Sequence, residues 1–333
     1  MNDAPLLSVE HLGVQLVPRR GEPRQLVDDV SFEVRANEVL GMAGESGSGK
    51  TLTSMAILRL LATRSLRVTG RIMFDGRDLL TMPVKELRRV RGSGIAVVFQ
   101  EPMSSLHPSI RIGEQIAEGV RLHRDVSRKA AWDRAVEVLE LVGIPSPATR
   151  AQQYPHEFSG GMQQRVMLAI ALACEPRLLI ADEPTTALDV TIQAQIVDLL
   201  RDLQQRVGMS VLFVTHDLGL LSGLADRVQV MYAGQIVETA TTDELFARPR
   251  HPYTQALIRS APHPDLKGGR LPTIPGSPPR PAALPAGCRF HPRCGFVVDR
   301  CRSGDVPLER GHGDRSCRCI RQDELDLARA GAQ

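Results

Sequence analysis

The sequence predicts an α/β protein. It reads as a phosphate-loop core with a mostly parallel sheet, a small antiparallel β subdomain, an inserted helical subdomain and a Pro/Cys-rich C-terminal extension. Three observations carry this reading. Short apolar runs alternate with stretches of helical spacing, and strands separated by helices pair in parallel. A glycine-rich turn ending in Lys50-Thr51 lies between one such run and the helix after it. Composition then changes near residue 262, where prolines and, further on, cysteines accumulate.

Residues 7–34 and 71–75 read as short strands of an antiparallel sheet. Val39-Leu40-Gly41-Met42-Ala43 is a buried-strand run ending at Gly44, and residues 50–62 follow with helical spacing through Leu52, Met55, Ala56, Leu58 and Leu60. Ile95–Phe99, Leu178–Ala181 and Val211–Val214 are three further buried-strand runs. Between the last two, Ile196, Leu199, Leu200, Leu203 and Val207 recur at 3- and 4-residue steps, which predicts an amphipathic helix. Residues 101–175 are helical by pattern and would form a lobe inserted between core strands.

Domain boundaries follow from composition: 1–261 as one unit and 262–333 as the extension. Nine of the 23 prolines fall in residues 262–292, which excludes a long helix or central strand there. The extension carries a net charge of +4 against −1 for the rest. The whole-chain charge of +3 is too mild to argue for nucleic acid, and none is expected as a partner. The longest apolar run, Val166–Cys174, is nine residues, half of the ~18 that a membrane span requires. The N-terminus lacks a basic-then-apolar leader, so a cytosolic chain is expected.

Gly44-Glu45-Ser46-Gly47-Ser48-Gly49-Lys50-Thr51 fits G-x-x-x-x-G-K-[ST]. Glycines in such a loop let backbone N–H groups turn around a phosphate, and the helix start adds partial positive charge. Lys50 would reach the terminal phosphates of ATP, and the Thr51 hydroxyl would join Mg²⁺. Asp182 and Glu183 end a buried strand. The first is placed to hold Mg²⁺ and the second to orient and deprotonate the attacking water.

Ser159-Gly160-Gly161-Met162-Gln163-Gln164-Arg165 precedes an apolar helix and lies 17 residues before Asp182. It resembles the signature segment of ATP-binding cassette (ABC) ATPases. Gln100 resembles the family's Q-loop glutamine, Asp189 its D-loop aspartate and His216, in Val-Thr-His-Asp, its switch histidine. Tyr154-Pro-His-Glu-Phe-Ser-Gly-Gly-Met, Gln100-Glu-Pro-Met-Ser-Ser-Leu and His251-Pro-Tyr-Thr-Gln-Ala-Leu narrow the resemblance to the oligopeptide/dipeptide (and nickel) importer branch.

The resemblance implies an ATPase at the cytoplasmic face of the membrane, working with a second ATPase subunit, two permeases and a solute-binding protein. It implies head-to-tail pairing, with Ser159, Gly160 and Gly161 acting on the partner's ATP. It also implies that Gln100 touches Mg²⁺ or water and that His216 contacts the γ-phosphate. A nickel or other small-solute importer of the same branch and a non-transport ABC ATPase of DNA repair or translation are the competing readings. Intact Lys50, Asp182, Glu183 and His216 argue against a non-catalytic subunit. Family members often stack adenine on an aromatic near the N-terminus, where this chain offers only Phe32. Leu16, Val17, Arg19 and Arg20 are the alternatives.

Five of the six cysteines lie between Cys288 and Cys319. Their spacing lacks the C-x2–4-C pairs of zinc sites. Four thiolates at irregular spacing suit an iron–sulfur cluster, with zinc and free buried thiols as alternatives. The resemblance implies a 4Fe–4S cluster on Cys288, Cys294, Cys301 and Cys319, with Cys317 as the alternative fourth ligand. Since the ATPase motifs all precede residue 220, the tail is expected to be structural.

Overall fold

A computed structural model of the chain describes residues 4–61, 63, 65–99, 105–186, 188–261, 273–311 and 313–328. Two units emerge. The first gathers Met1–Val34, Val39–Leu80 and Val214–Gln333, and the second Arg35–Glu38 and Thr81–Phe213. Among the described residues, no helix is long and apolar enough to cross a membrane.

In the first unit, β1 (Leu7–Leu16), β2 (Arg24–Val34), β3 (Val39–Ala43), β4 (Leu66–Phe74) and β5 (Arg77–Asp78) come first in chain order. A four-stranded sheet orders β2-β1-β4-β5, with β1 antiparallel to both β2 and β4. Leu7 and Val9 face inward, and so do Leu12 and Val14. Strict alternation would put these two pairs on opposite faces. A register shift between Val9 and Leu12, with His11 at φ 50°, restores the phase.

The second unit contains β6 (Ile95–Val98), β7 (Leu178–Asp182) and most of β8 (Ser210–Thr215), in the order β8-β7-β6. β6 and β7 pair in parallel, Ile95 against Leu178. The chain between them folds into the helices Ile112–His123, Arg128–Leu141, Pro147–Arg150 and Gly160–Leu172, which is the inserted helical lobe.

β9 (Arg227–Tyr232) and β10 (Gln235–Thr241) return to the first unit, where β9 runs parallel to β3 and antiparallel to β10. β11 (Glu309–Arg310) and β12 (Ser316–Cys317) come from the tail. β12 pairs antiparallel with β10, Cys317 opposite Glu238, and β11 with β12. The tail thus extends a sheet edge of the unit that carries the glycine-rich loop. A two-residue strand has too little pattern to be read from sequence.

The helix after the glycine-rich turn is shorter than its spacing predicts. It ends at Ile57, because Arg59 takes a left-handed conformation at φ 51° and Leu60 N–H turns back to Met55 O. Leu58 is nevertheless buried, so the apolar spacing continues past the helix.

Candidate functional site

The glycine-rich loop lies between β3 and the Lys50–Ile57 helix, as its pattern requires. Gly49 precedes that helix at φ 108°, a region that L side chains rarely adopt. At Gly44 a methyl group would stand 2.2 Å from Met231 O, so the close approach of β9 leaves no room for a side chain. Lys50 is buried, and its Nζ donates to Gly44 O at 2.7 Å and Glu45 O at 3.1 Å. The ammonium is thereby held inside the curl of the loop. Ser48 Oγ is buried without a hydrogen-bond partner among the described residues. Ser46, Gly47 and Thr51 are exposed along the same segment.

His216, in the same unit, follows β8 and is exposed, while Thr215 Oγ1 accepts from Asp217 N–H at 3.0 Å. Phe32 is buried in the antiparallel sheet, which removes it as an adenine platform. Val17, Arg19 and Arg20 are exposed.

In the second unit, Asp182 is buried at the end of β7. Glu183 follows at φ 50°, and its Oε2 accepts from Thr186 Oγ1 at 3.0 Å. A left-handed glutamate is a strained residue, and such strain concentrates at functional turns. Ser159 caps the Gly160–Leu172 helix by accepting from Met162 N–H. Asp189 caps the Val190–Val207 helix by accepting from Ile192 N–H at 2.9 Å. The two helix starts adjoin: a methyl on Gly161 would meet Ile192 at 3.0 Å and one on Gly160 would meet Leu188 at 3.8 Å. Ser159, Gly160 and Asp189, distant in sequence, thus share an exposed region of this unit. Gln100 lies outside the described residues.

All six cysteines are free thiols. Cys288, Cys294, Cys301 and Cys319 line one small pocket with Phe290 and Phe296, and Cys317 is not in its lining. Burial pushes the Cys288 thiol up to about 11 and the Cys319 thiol up to about 12, and also raises that of Cys294. Cys317 sits in β12 opposite Glu238. Among the described residues, no group of three or more His, Cys, Asp or Glu stands at metal-binding geometry. His291 Nδ1 lies 3.0 Å from Cys288 O, a contact that ties the ring to the backbone of the same segment. Cys174 is a buried core residue.

Sequence reasoning missed the link between the tail and the loop. Arg293, between Cys288 and Cys294, grips the Glu45 carboxylate with both terminal nitrogens, at 2.6 and 2.9 Å. Arg289 pairs with Asp28 and donates to Ala233 O. The surplus of tail arginines was the available signal, but a charge count names no partner.

Residues 27–186 match the family described as "ABC transporter", and residues 237–301 match "Oligopeptide/dipeptide transporter, C-terminal region". A putative peptide import ATP-binding protein of Brucella abortus (strain 2308) is 49% identical over 319 residues, covering 96% of each chain. Another from the same strain is 48% identical and covers 98% of this chain and 99% of its own. Among solved structures, a dimeric ATP-binding cassette in a post-hydrolysis state bound to ADP and Pi aligns with a TM-score of 0.63 and 26% identity, over 71% of this chain and 98% of that one. The cbiO1 protein of Clostridium perfringens, part of an ABC transporter complex, aligns with a TM-score of 0.63 and 26% identity, over 74% and 92%.

Proposed function

The chain belongs to the ABC transporter family of ATP-binding proteins, and from that premise we propose that it powers uptake of di- or oligopeptides through partner permeases. One observation carries the choice of solute. The likeness to peptide import proteins runs through the C-terminal region as well as the cassette, over 96% of both chains. As an ABC ATPase the chain converts ATP and water to ADP and phosphate.

The roles follow from the residue chemistry. The loop Gly44–Thr51, with Lys50 at its centre, binds the β- and γ-phosphates. Glu183 takes a proton from the attacking water as its oxygen bonds to the γ-phosphorus and the bond to ADP breaks. His216 contacts the γ-phosphate. Ser159, Gly160 and Gly161 act on the nucleotide of a second ATPase subunit, which fits the exposure of Ser159 and Gly160 at a helix start, and Asp189 belongs to the same nucleotide-binding set. Hard oxygen donors suit Mg²⁺, and Thr51, Asp182 and Gln100 are its assigned holders. The buried Asp182 carboxylate fits that role. When bound, Mg²⁺ neutralises phosphate charge.

Four thiols around one pocket fit a 4Fe–4S cluster by donor chemistry, on Cys288, Cys294, Cys301 and Cys319. A cluster there would cross-link four points of a tail rich in proline. The chain would act at the cytoplasmic face of the membrane, with two permeases and a solute-binding protein. The helical lobe would face the permeases, and its exposed Leu122 and Val126 support that.

Reconstitution with the neighbouring permeases and binding protein tests the reading. Labelled oligopeptide should enter vesicles only with ATP, and the Glu183→Gln subunit should stop uptake. ATP turnover indifferent to a peptide-loaded binding protein would overturn it. Protein purified without oxygen should carry about four irons per chain. Cys319→Ser should lose them and Cys317→Ser keep them, whereas stoichiometric zinc without iron would sink the cluster.

A further inference from the structure

Glu45 puts a carboxylate in a loop whose work is to bind phosphates. An unbalanced negative charge there repels ATP. Its balance comes from outside the nucleotide motifs. Arg293 is almost fully buried, its side chain 4% exposed, and it meets Glu45 as a two-pronged fork. The fork is itself fixed. Nε donates to Pro275 O at 2.8 Å, Nη2 to Ile274 O at 3.4 Å and Nη1 to Tyr232 Oη at 3.3 Å. The Tyr232 and Phe290 rings lie 5.7 and 5.9 Å from the guanidinium carbon. The Glu45 backbone is held as well: its N–H donates to Tyr253 Oη at 2.8 Å, and its carbonyl accepts from Lys50.

We propose that Arg293 is a positioning residue for ATP: it cancels the Glu45 charge and fixes the phosphate loop, so that nucleotide affinity depends on the cysteine-bearing tail. A residue between Cys288 and Cys294 thereby acts on a site whose own motifs end some 75 residues earlier. The proposal rests on the reading that Gly44–Thr51 holds ATP.

The test is binding of Mg²⁺ and the non-hydrolysable analogue AMP-PNP to the full chain, with thermal unfolding measured alongside. Arg293→Gln should bind about tenfold more weakly, because an uncompensated carboxylate remains beside the phosphates. The double variant Glu45→Gln/Arg293→Gln should regain most of that loss, since the repelling charge is gone. A merely structural role for Arg293 would leave the double variant as weak as Arg293→Gln. Wild-type affinity in Arg293→Gln, or no recovery in the double variant, would overturn the proposal. Should Arg293→Gln fail to fold, Arg293→Lys keeps the charge and loses the fork. Binding close to wild type then supports the cancelling of the Glu45 charge, and a loss as large as tenfold despite the retained charge overturns it. Lys50→Ala separates the two readings: if it binds the analogue normally, the loop assignment fails as well as the tail's role.

Discussion

Lys50 is a buried cation with carbonyl oxygens from its own loop as acceptors. An ammonium held inside a phosphate loop offers a charge-assisted contact to a bound phosphate. Lys50→Ala should weaken ATP binding by at least about tenfold, as loss of a charge-assisted contact to phosphate does. Equilibrium titration checks this. Glu183→Gln keeps size and hydrogen bonding to Thr186 while removing the proposed base. It should bind ATP like wild type and turn over about a hundredfold slower, the usual share of one general base. A steady-state phosphate assay on a complex carrying only the variant subunit decides that. Both residues were legible in the sequence, because each sits in a fixed pattern of neighbours. Arg293 was not, since nothing along the chain points from residue 293 to residue 45.

Among elements, the tail departs most from a reading by composition. Prolines in residues 262–292 predict an extended linker that must still lie on something, without saying on what. Yet the described part carries Phe290, buried at 3% exposure with its ring 5.3 Å from that of Tyr232 and 5.2 Å from that of Tyr253. Arg318 N–H donates to Val237 O, and Arg318 Nε to Ile236 O, fastening the segment after β12 to β10. Phe290→Ala should therefore lower the stability of the whole first unit by about 3 kcal/mol, the cost of a large aromatic cavity. Denaturant unfolding of the full chain measures it. A loosely attached tail would leave the midpoint unchanged. Short strands and side-chain-to-carbonyl bonds leave no period in the sequence, so this docking could not be read from it.

For the whole molecule, the proposed function turns on pairing with a second ATPase subunit. Lys50 and His216 belong to the unit built on β3 and β9, and Ser159, Asp182, Glu183 and Asp189 to the unit with the helical lobe. Ser159, Gly160 and Asp189 are exposed, and under the proposed function a signature segment that acts on a second subunit's nucleotide would make turnover depend on pairing. Specific activity of the purified chain should rise with its concentration until pairing saturates. Concentration-independent activity down to the lowest measurable level would show that a single copy suffices.

What the sequence by itself determined was the local chemistry: the strand–loop–helix frame of residues 39–57, the paired acids at 182–183, the signature segment, the helical insertion and the cysteine set. Each is written in neighbouring residues, through glycine at strained turns, apolar period in strands and helices, and charge where phosphate or water must be met. Only the tertiary structure decided that Cys319 rather than Cys317 shares a pocket with Cys288, Cys294 and Cys301, that the tail adds strands beside β10, and that Arg293 meets Glu45. The reason is physical. Those contacts join residues up to 248 positions apart, and their energy comes from burial and charge pairing, which depend on where the folded chain brings side chains together.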